Sequence, residues 1–441
     1  MKISYMALGC KVNLYESVAI VNDFLAHGFE LAEFDDVCDV YIINTCTVTQ
    51  TSDSKSKKMI RQAIKRNPNA IICVMGCYSQ LNSKEVTEID GVNIVCGTSN
   101  RKLIFPTVLK MIEDNEKTFV NLTQSYDEIC EYEDLTVDHY DNKTRGFVKV
   151  QDGCENFCSY CAIPYSRGRF RSRNVDSVIN EIKLLSDKGM KEIVLIGINT
   201  GAYGKDINSS LAELLEKIVL SVRNLGRIRI SSIEATEITK ELLDVIMHYK
   251  EHFCMHLHIP IQGGSNEILK KMNRKYDIQY YQDKLALIRS YFPLINITAD
   301  IMVGFNGETS ELFNKAYNFI ESCNYGETHI FPYSPRPNTL AYLESQKTKF
   351  SDAVNEMTKK LRVNDLLTLN EVKAMEYRNK FKGMFVEVLV EKVIDGVAFG
   401  HSSNYLEVEF KTKTAKENDL VMVLITKVGY PVCEGVEQNV F

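Results

Sequence analysis

Short apolar runs alternate with helical patterns through residues 1–115. The runs lie at 2–8, 40–44, 70–75 and 92–95, and the helical patterns at 16–26 and the lysine-rich 52–65. Strands that alternate with helices predict a parallel sheet with crossover helices. We therefore expect an open parallel α/β sheet as the amino-terminal domain, over 1–115.

A second alternating series begins at Gly146. Six further apolar runs predict strands, at 147–150, 193–197, 227–231, 255–259, 297–303 and 329–333. Between the first two, apolar residues repeat at helical spacing, and Gly189 follows as a helix stop. Strand–helix units of about 30 residues indicate an incomplete parallel barrel, a relative of the eightfold one. The predicted central domain is a partial (β/α)6 barrel over 142–346.

Charge and pattern separate the remaining segments. Residues 127–141 hold seven acidic residues and no Lys or Arg, which favours a solvated linker over 116–141. Residues 347–380 have the pattern of a polar helical connector. Within 381–441, four alternating runs are typical of a small antiparallel β-barrel, at 386–390, 397–401, 405–410 and 420–426.

The composition is that of a globular protein. Its 441 residues are 45% hydrophobic and 25% charged, which excludes a disordered, collagen-like or small disulfide-scaffold chain. No apolar run approaches the roughly 20 residues that span a bilayer, and the start lacks signal-peptide features. We expect a cytoplasmic protein without membrane contact. The net charge of -6 argues against a surface that coats nucleic acid throughout, but not against a local basic groove.

Three of the 13 cysteines form a compact motif just after the first predicted barrel strand. Cys154, Cys158 and Cys161 have C-x3-C-x2-C spacing. In a reducing compartment such cysteines are more often metal ligands than disulfides. Three thiolates in one loop can hold three irons of a 4Fe-4S cluster and leave the fourth iron open. Zinc is the main alternative, but zinc knuckles usually offer a fourth Cys or His nearby, and none follows here.

This motif, with Tyr160 before its last cysteine, resembles the radical S-adenosylmethionine (SAM) superfamily. The rest of the chain resembles the methylthiotransferase branch of that superfamily, over essentially its whole length. LGCKVNLYES, INTCTVT and VMGCYSQ resemble the three amino-terminal cysteine motifs of the branch. HLHIPIQGGSNEILKKMNRKY, DIMVGFNGET and FPYSPRPNT resemble its barrel motifs, and GHSSNYLEVEF resembles a TRAM domain, an RNA-binding barrel.

A second cysteine set has support from its position. Cys10, Cys46 and Cys77 each lie two residues past the carboxyl end of a predicted parallel strand. In open α/β sheets these ends line the ligand crevice, so the three thiols can converge on a second 4Fe-4S cluster. Cys73 lies inside an apolar run and is predicted to be a buried strand thiol.

The resemblance implies a reaction that replaces an unactivated C–H bond with C–SCH3. The first cluster would bind SAM, whose reductive cleavage gives a 5′-deoxyadenosyl radical, and the second would carry the sulfur. An electron donor such as a flavodoxin or ferredoxin is then needed. Residues expected to bind SAM follow successive barrel strands: Gly197, Ser231, Ser232, Glu234 and Gln262. For Gly197 an ordinary turn is nearly as good an interpretation, and His256 and His258 are interpreted as core residues.

The expected substrate is tRNA. Four arginines lie at alternate positions after the cluster loop: Arg167, Arg169, Arg171 and Arg173. Together with Arg145 and Lys149 they predict a basic rim that binds RNA phosphates. The alternative interpretation is a solvated charged strand. LGCKVN, SSIEA and SPRPNT most resemble the branch that modifies N6-threonylcarbamoyladenosine at position 37. Since that nucleoside carries a carboxylate, we expect a cation in its pocket, and Arg336 is the candidate.

Three alternatives stay open from the sequence. Two are enzymes of the same family, acting on isopentenyladenosine in tRNA or on an aspartate of a ribosomal protein. The third is an RNA-binding iron–sulfur carrier without turnover.

Overall fold

The structure is a computed structural model that describes residues 1–140 and 143–438. Its amino-terminal domain is a parallel six-stranded sheet of order β2-β1-β3-β4-β5-β6. The strands are β1 (Lys2–Ala7), β2 (Glu30–Leu31), β3 (Val40–Thr45), β4 (Ile71–Gly76), β5 (Ile94–Val95) and β6 (Val120–Asn121). The helices are α1 (Lys11–Ala26), α2 (Gln50–Arg66), α3 (Cys77–Leu81), α4 (Ser83–Thr87) and α5 (Ile104–Glu113). The predicted open parallel α/β sheet is confirmed.

The central strands β3 and β4 are buried along their whole length. This burial explains their unbroken apolar sequence, because helices cover both faces of a parallel sheet. Cys73 is fully buried in β4, as expected of a strand thiol. Strand β6 extends the sheet five residues beyond the predicted domain end at 115.

The acidic segment between the first two domains is not a solvated linker. Leu135 and Val137 are buried in the main core. Asp134 accepts a hydrogen bond of 2.6 Å from Arg173, and Glu133 accepts one of 2.7 Å from Arg101. The prediction was wrong because these carboxylates neutralise buried arginines that lie far away in the sequence. The predicted boundary between 141 and 142 lies outside the described residues.

The central domain is the predicted partial barrel. Parallel sheets β7-β10-β11 and β12-β13-β14 are joined by single parallel bridges, Ile228 to Phe253 and Ser232 to His258. The strands are β7 (Arg145–Lys149), β8 (Gln151–Asp152), β9 (Arg171–Ser172), β10 (Glu192–Ile196), β11 (Arg227–Ile230), β12 (His256–His258), β13 (Asn296–Val303) and β14 (Glu327–Pro332), of which β8 and β9 form a separate antiparallel pair.

Helices pack around this barrel. They are α6 (Ile163–Arg167), α7 (Val175–Asp187), α8 (Leu211–Ser221), α9 (Lys240–His248), α10 (Asn266–Lys271), α11 (Ile278–Tyr291), α12 (Ser310–Ser322) and α13 (Leu340–Lys347). Short 3₁₀ turns complete the connections, at Arg101–Leu103, Tyr126–Glu128, Thr200–Ala202, Ala235–Glu237 and Lys250–His252. Asn174 caps the start of helix α7, because its side chain accepts hydrogen bonds from two backbone amides of the first turn.

The connector contains one long helix, α14 (Glu356–Asn379), which packs against β14 and β13. Leu366 and Leu369 are buried, and Asn370 Oδ1 accepts a 2.7 Å hydrogen bond from the backbone amide of Thr328. The helix is therefore part of the barrel's outer layer.

The carboxyl-terminal domain is a closed barrel of order β15-β16-β17-β19-β18. Its strands are β15 (Phe385–Ile394), β16 (Val397–Ser402), β17 (Glu407–Lys411), β18 (Leu420–Lys427) and β19 (Val432–Glu437). The predicted small barrel is confirmed, with two differences. Strand β19 was not among the predicted runs, and it pairs in parallel with β17, whereas the other pairs are antiparallel. Residues 439–441 of the predicted domain lie outside the described residues.

The small barrel docks on the amino-terminal ends of the central strands. Arg229 donates to the carbonyl of Ser403 at 3.1 Å, and Asn296 donates to the carbonyl of Asn404 at 2.9 Å. The ring of Tyr405 stacks on His256, with centroids 4.9 Å apart. This contact seals one end of the central barrel and leaves the carboxyl ends of the strands for the candidate site. In the part of the chain that is described, no helix has the length and hydropathy to cross a membrane.

Candidate active site

Cys154, Cys158 and Cys161 lie in the loop that leads from β8 to α6. Gly153 has φ +75, and a Cβ there would lie 1.9 Å from the carbonyl oxygen of Arg169, so only glycine fits. The amide of Cys161 donates to the carbonyl of Cys158 at 2.9 Å. This tight loop directs all three cysteines to one cavity of about 290 Å³.

Three of the five expected SAM-binding residues line the same cavity: Ser232, Glu234 and Gln262. The other two do not belong to its described lining. Gly197 packs instead against the side chain of Gln151, and the hydroxyl of Ser231 lies 3.1 Å from that of Thr200. Gly197 therefore permits a close contact, as a glycine can, but the contact is with the Gln151 side chain and not with the cavity expected to hold SAM.

Arg274 was missed by the sequence reasoning. Its guanidinium donates to both carboxylate oxygens of Glu234, at 3.1 and 2.6 Å, and to the sulfur of Cys158 at 3.5 Å. Arg274 lies in the quoted stretch KKMNRKY, but nothing in the spacing marked it as a partner of a cysteine 116 positions away. It fixes the orientation of Glu234 at the cavity wall.

A larger cavity of about 740 Å³ adjoins the first. Both share Tyr160, Cys161, Gln262 and Asp300 in their walls. The larger one is also lined by residues 48–51, which follow Cys46 in the amino-terminal domain. The two cavities therefore adjoin each other, and the larger one lies between the central barrel and the amino-terminal domain.

Cys10, Cys46 and Cys77 follow the adjacent strands β1, β3 and β4, at the edge where those strands end. A Cβ on Gly9 would lie 2.6 Å from the sulfur of Cys46. Burial raises the pKa of Cys10 to about 11, with Arg167 lowering it and Cys77 raising it further. Burial also raises the pKa of Cys46, and Cys77 again contributes. The three thiols thus lie close enough to interact electrostatically.

Thiols whose pKa is raised stay protonated until a metal binds, and this applies to Cys10 and Cys46. Burial raises the pKa of Cys154 to about 11 as well. A bound metal supplies the positive charge that deprotonates a coordinating thiol. Cys10, Cys46 and Cys154 therefore fit metal coordination better than the role of a free reactive thiolate.

The spacing of the sulfurs disfavours a single zinc ion. Zinc–sulfur bonds of about 2.3 Å place two sulfurs on one zinc at most about 4.6 Å apart. Among the described residues, three ligand atoms all within 4.8 Å of one another occur at His258, Asp300 and His329, and at neither cysteine triad. A cube of four irons and four sulfides is larger than one ion and accepts wider spacing.

The His258, Asp300 and His329 group is a second feature that sequence reasoning missed. His258 Nε2 lies 3.3 Å from the carboxylate of Asp300, and His258 Nδ1 lies 2.9 Å from the hydroxyl of Thr298. Asp300 lines both cavities. These residues come from three adjacent strands, so only the register of β12, β13 and β14 brings them together. His256, by contrast, is buried, as expected of a core residue.

The basic rim predicted for tRNA is largely absent. Arg167, Arg171 and Arg173 are buried, as is Lys149, and among the four alternating arginines Arg169 alone is exposed. Arg173 forms ion pairs with Asp134 and Glu181. Alternating charges did not mark a solvated face here, because carboxylates from other elements cover them.

Arg167 belongs to the second cysteine set instead. Its Nε donates to the sulfur of Cys77 at 3.3 Å, and its Nη1 donates to Glu16 at 2.8 Å and to Asp152 at 3.1 Å. Burial by itself raises the pKa of Glu16, but Arg101, Arg167 and Lys149 bring it well below the ordinary value. The carboxylate is therefore ionised inside the protein.

Arg336 joins the central barrel to the amino-terminal domain. Its Nη2 donates to the hydroxyl of Thr47 at 2.8 Å and to Asp53 at 2.6 Å. Within the described residues its buried Nε and Nη1 have no hydrogen-bond partner. Two residues before it, Ser334 lines the larger cavity.

Comparison with known proteins identifies the domains. Residues 148–320 match the Radical SAM superfamily, and residues 2–97 match Uncharacterized protein family UPF0004. The radical SAM methyltransferase TsrM from Kitasatospora setae, solved with cobalamin and a [4Fe-4S] cluster, has a similar fold. Its TM-score is 0.61 at 15% identity, and the match covers 79% of this chain and 78% of that one.

Two curated relatives match nearly the whole chain. The threonylcarbamoyladenosine tRNA methylthiotransferase MtaB of Bacillus subtilis (strain 168) is 40% identical over 98% of this chain and 95% of its own length. The tRNA-2-methylthio-N(6)-dimethylallyladenosine synthase of Bacteroides fragilis (strain YCH46) is 31% identical over 99% of this chain and 95% of its own length. Membership of the superfamily implies SAM and a 4Fe-4S cluster. The chain belongs to the radical SAM methylthiotransferase family.

Proposed function

We propose that this chain converts N6-threonylcarbamoyladenosine at position 37 of tRNA to its 2-methylthio derivative, with SAM and two 4Fe-4S clusters. The observation that carries this proposal is the placement of two cysteine triads. Cys154, Cys158 and Cys161 line the smaller cavity, and Cys10, Cys46 and Cys77 lie at the strand-end edge of the amino-terminal domain, whose residues 48–51 line the adjoining larger cavity. The relative that is 40% identical over 98% of the chain bears the name of that activity.

Cys154, Cys158 and Cys161 would hold the first cluster, and Cys10, Cys46 and Cys77 the second. When bound, the clusters and SAM supply the radical and sulfur chemistry that an unactivated C–H bond requires. The chain itself provides position and a dry environment. Ser232 and Gln262 offer polar atoms to SAM, and Arg274 holds Glu234 in a fixed orientation beside them.

The larger cavity is suited to the modified adenine. Met302, Phe331 and Tyr333 offer apolar and aromatic surface to a base. Arg336 would bind the threonylcarbamoyl carboxylate through Nε and Nη1, the two donors for which the described residues provide no partner. An isopentenyl group has no acceptor and leaves both donors unsatisfied, which disfavours that substrate.

The proposed function also implies an electron donor and contacts with tRNA. A flavodoxin or ferredoxin would supply the electron, in the cytoplasm. Arg169, exposed beside the cluster loop, and the TRAM-like small barrel would contact tRNA phosphates.

The test is an anaerobic assay with reconstituted protein, SAM, a chemical reductant and tRNA that carries threonylcarbamoyladenosine. We expect the 2-methylthio nucleoside by mass spectrometry and about eight irons per chain. Replacing either cysteine triad with alanine should leave about four irons and abolish the product. About four irons in the wild type, falling to none without Cys154, Cys158 and Cys161, would remove the second cluster from the proposal.

Substrate choice is tested separately at Arg336. We expect Arg336→Ala to weaken binding of the threonylcarbamoyl tRNA and to leave binding of the same tRNA without the modification unchanged. Equal binding of both tRNAs by wild type and variant would end the assignment of Arg336. If the 2-methylthio product forms only with tRNA that carries isopentenyladenosine, that nucleoside is the substrate instead.

A further inference from the structure

A buried group of charged residues contacts the second cysteine set through Arg167. Its members come from both domains, and apart from Glu133 all are nearly or completely buried: Glu16, Arg101, Glu133, Lys149, Asp152, Arg167 and Arg171. Lys149 donates to Glu16 at 2.8 Å and to Asp152 at 2.6 Å. We call this set the buried ion network.

The buried ion network is not neutral. Counted over residues 1–140 and 143–438, it contains four cations, Arg101, Lys149, Arg167 and Arg171, and three carboxylates. An uncompensated buried charge is costly, so the folded protein requires a further anion in contact with the network. The sulfur of Cys77 is in direct contact with the network, 3.3 Å from Arg167 Nε.

A cluster on Cys10, Cys46 and Cys77 matches this requirement. An oxidised 4Fe-4S core carries two positive charges and three thiolates carry three negative ones, so the assembly has one net negative charge. That charge equals the deficit of the buried ion network. The charge balance is therefore an independent indication that the second triad holds such a cluster.

Arg167 connects the network to the cluster ligand. It is the last residue of α6, which begins two residues after Cys161, and its Nε reaches the sulfur of Cys77 at 3.3 Å. Asn13 completes the contact, because its Oδ1 accepts a 2.8 Å hydrogen bond from Arg167 Nη2 and lies 3.7 Å from the sulfur of Cys10. One short helix thus runs from the last ligand of the first cluster to a ligand of the second.

The first cluster site has a different charge balance. Arg274 approaches Cys158 in the same way, at 3.5 Å, but its charge is neutralised by a bidentate pair with Glu234. Hydrogen bonds to the sulfurs and net local charge are what set the potential of an iron–sulfur cluster. The two sites therefore favour different potentials.

We propose that Arg167 is a positioning residue of the second cluster, and that its hydrogen bond to Cys77 and its positive charge raise the reduction potential of that cluster above that of the first. The proposal rests on the two-cluster function proposed above. It assigns the electrostatic difference between the clusters to two arginines. Arg274 is balanced by its own carboxylate partner, whereas Arg167 shares Glu16 and Asp152 with the other cations of a network that has one excess positive charge.

The experiment uses full-length Cys154→Ala/Cys158→Ala/Cys161→Ala protein, reconstituted anaerobically, so that the second cluster alone is observed. Its reduction is followed by electron paramagnetic resonance at poised potentials. We expect Arg167→Gln to lower the midpoint potential, and Arg167→Lys, which keeps the charge but not the Nε donor, to lower it less. In Arg167→Gln the remaining three cations match the three carboxylates, so the network stays balanced without the cluster.

Two variants serve as controls. Arg274→Gln should leave the second cluster unchanged, but shift the potential of the first when that cluster is isolated in Cys10→Ala/Cys46→Ala/Cys77→Ala protein. Glu133→Gln removes a carboxylate from the rim of the network and should raise the potential of the second cluster. This variant decides the question even where the Arg167 variants assemble little cluster.

The outcomes separate the two proposals. Absence of iron from the isolated second triad in otherwise wild-type sequence would overturn the two-cluster function. Iron that is present, with a potential insensitive to Arg167→Gln and to Glu133→Gln, would overturn the role of Arg167 alone. A midpoint potential that falls in Arg167→Gln and rises in Glu133→Gln supports the proposal.

Discussion

Gly76 determines how Cys77 is presented to the second site. Its φ is +107, and a Cβ would lie 2.3 Å from Asn44 Oδ1 and 2.5 Å from the carbonyl oxygen of Thr45. Backbone contacts of this length cannot be relieved by a side-chain rotation. Strand β4 therefore turns into α3 at a point where only glycine is accommodated.

We expect Gly76→Ala to lose the iron of the second triad and to lower the free energy of unfolding by about 2–4 kcal/mol, from left-handed strain and overpacking together. Gly28→Ala is the matched control, because Gly28 has φ +86 with nothing within 4 Å of its Cβ position. The Gly28→Ala variant has the same left-handed backbone strain without a steric clash, and it should keep the iron of the second triad. Iron content and thermal melting measure both effects, and equal iron in the two variants would contradict the steric argument.

His256 makes stability depend on pH. Burial lowers its pKa well below the ordinary value, and Arg229, His258 and Lys11 lower it further. The folded protein keeps His256 neutral, while the unfolded chain takes up a proton below about pH 6.5. Stability from this group is therefore complete above pH 6.5 and declines as the pH falls, by up to about 1.4 kcal/mol per pH unit.

We expect His256→Gln to reduce the loss of unfolding free energy between pH 7 and pH 5, measured by urea denaturation. His248→Gln, at an exposed position on α9, provides the comparison and should keep the wild-type slope. Parallel pH profiles for His256→Gln and wild type would show that the shift does not contribute.

Sequence reasoning at the residue scale succeeded where a backbone pattern carried the information. Cys10, Cys46 and Cys77 were placed together because parallel strand ends meet at one edge of a sheet. Arg167 and Arg173 were misplaced because their partners, Glu16 and Asp134, are 151 and 39 positions away. No local pattern distinguishes an alternating arginine in solvent from one in a buried ion pair.

The turn between β16 and β17 holds the small barrel on the central one. Tyr405 has φ +65, and its ring lies under the guanidinium of Arg229 at 4.7 Å and that of Arg145 at 5.3 Å. The same ring stacks on His256 and also contacts the ring of His401, with centroids 4.8 Å apart. Two cation–π contacts and two aromatic contacts converge on this side chain.

We expect Tyr405→Ala to loosen this docking and to lower the unfolding free energy by about 2–4 kcal/mol. Thermal melting measures the loss, and limited trypsin digestion near Lys380 and Lys382 detects release of the small barrel. Tyr280→Ala, at a 39% exposed position on α11, should change neither readout. If trypsin cleaves Tyr405→Ala no faster than wild type, other contacts hold the small barrel in place.

Element types were predictable, but element contacts were not. The alternation of apolar runs located the main strands of the parallel sheets in both domains, since each buried strand is an apolar segment. The two-residue strands β2 and β6 lie outside any such run, whereas β5, which is equally short, lies within the run at 92–95. The acidic segment was interpreted from its charges alone, and its buried residues Leu135 and Val137 show that apolar positions within it carried the packing information.

The buried ion network joins the amino-terminal domain to the central barrel. Glu16 lies on α1, and its carboxylate contacts Lys149 and Arg167 of the barrel, both at 2.8 Å. These partners are 133 and 151 positions away, so the sequence order alone does not reveal the contact. The two domains therefore share one electrostatic core, and we expect them to unfold together.

Glu16→Gln tests this coupling. It leaves four buried cations with two carboxylates, and breaking a buried ion pair from one side typically costs about 3–5 kcal/mol. We expect urea unfolding at a clearly lower concentration, still in a single transition for both domains. The exposed pair of Glu213 and Lys217 gives the control, since Glu213→Gln removes an i,i+4 contact worth about 0.3–0.5 kcal/mol. The buried cations keep the carboxylate of Glu16 ionised. A Glu16→Gln variant as stable as wild type would mean that the buried ion network contributes no net stability to the joined domains.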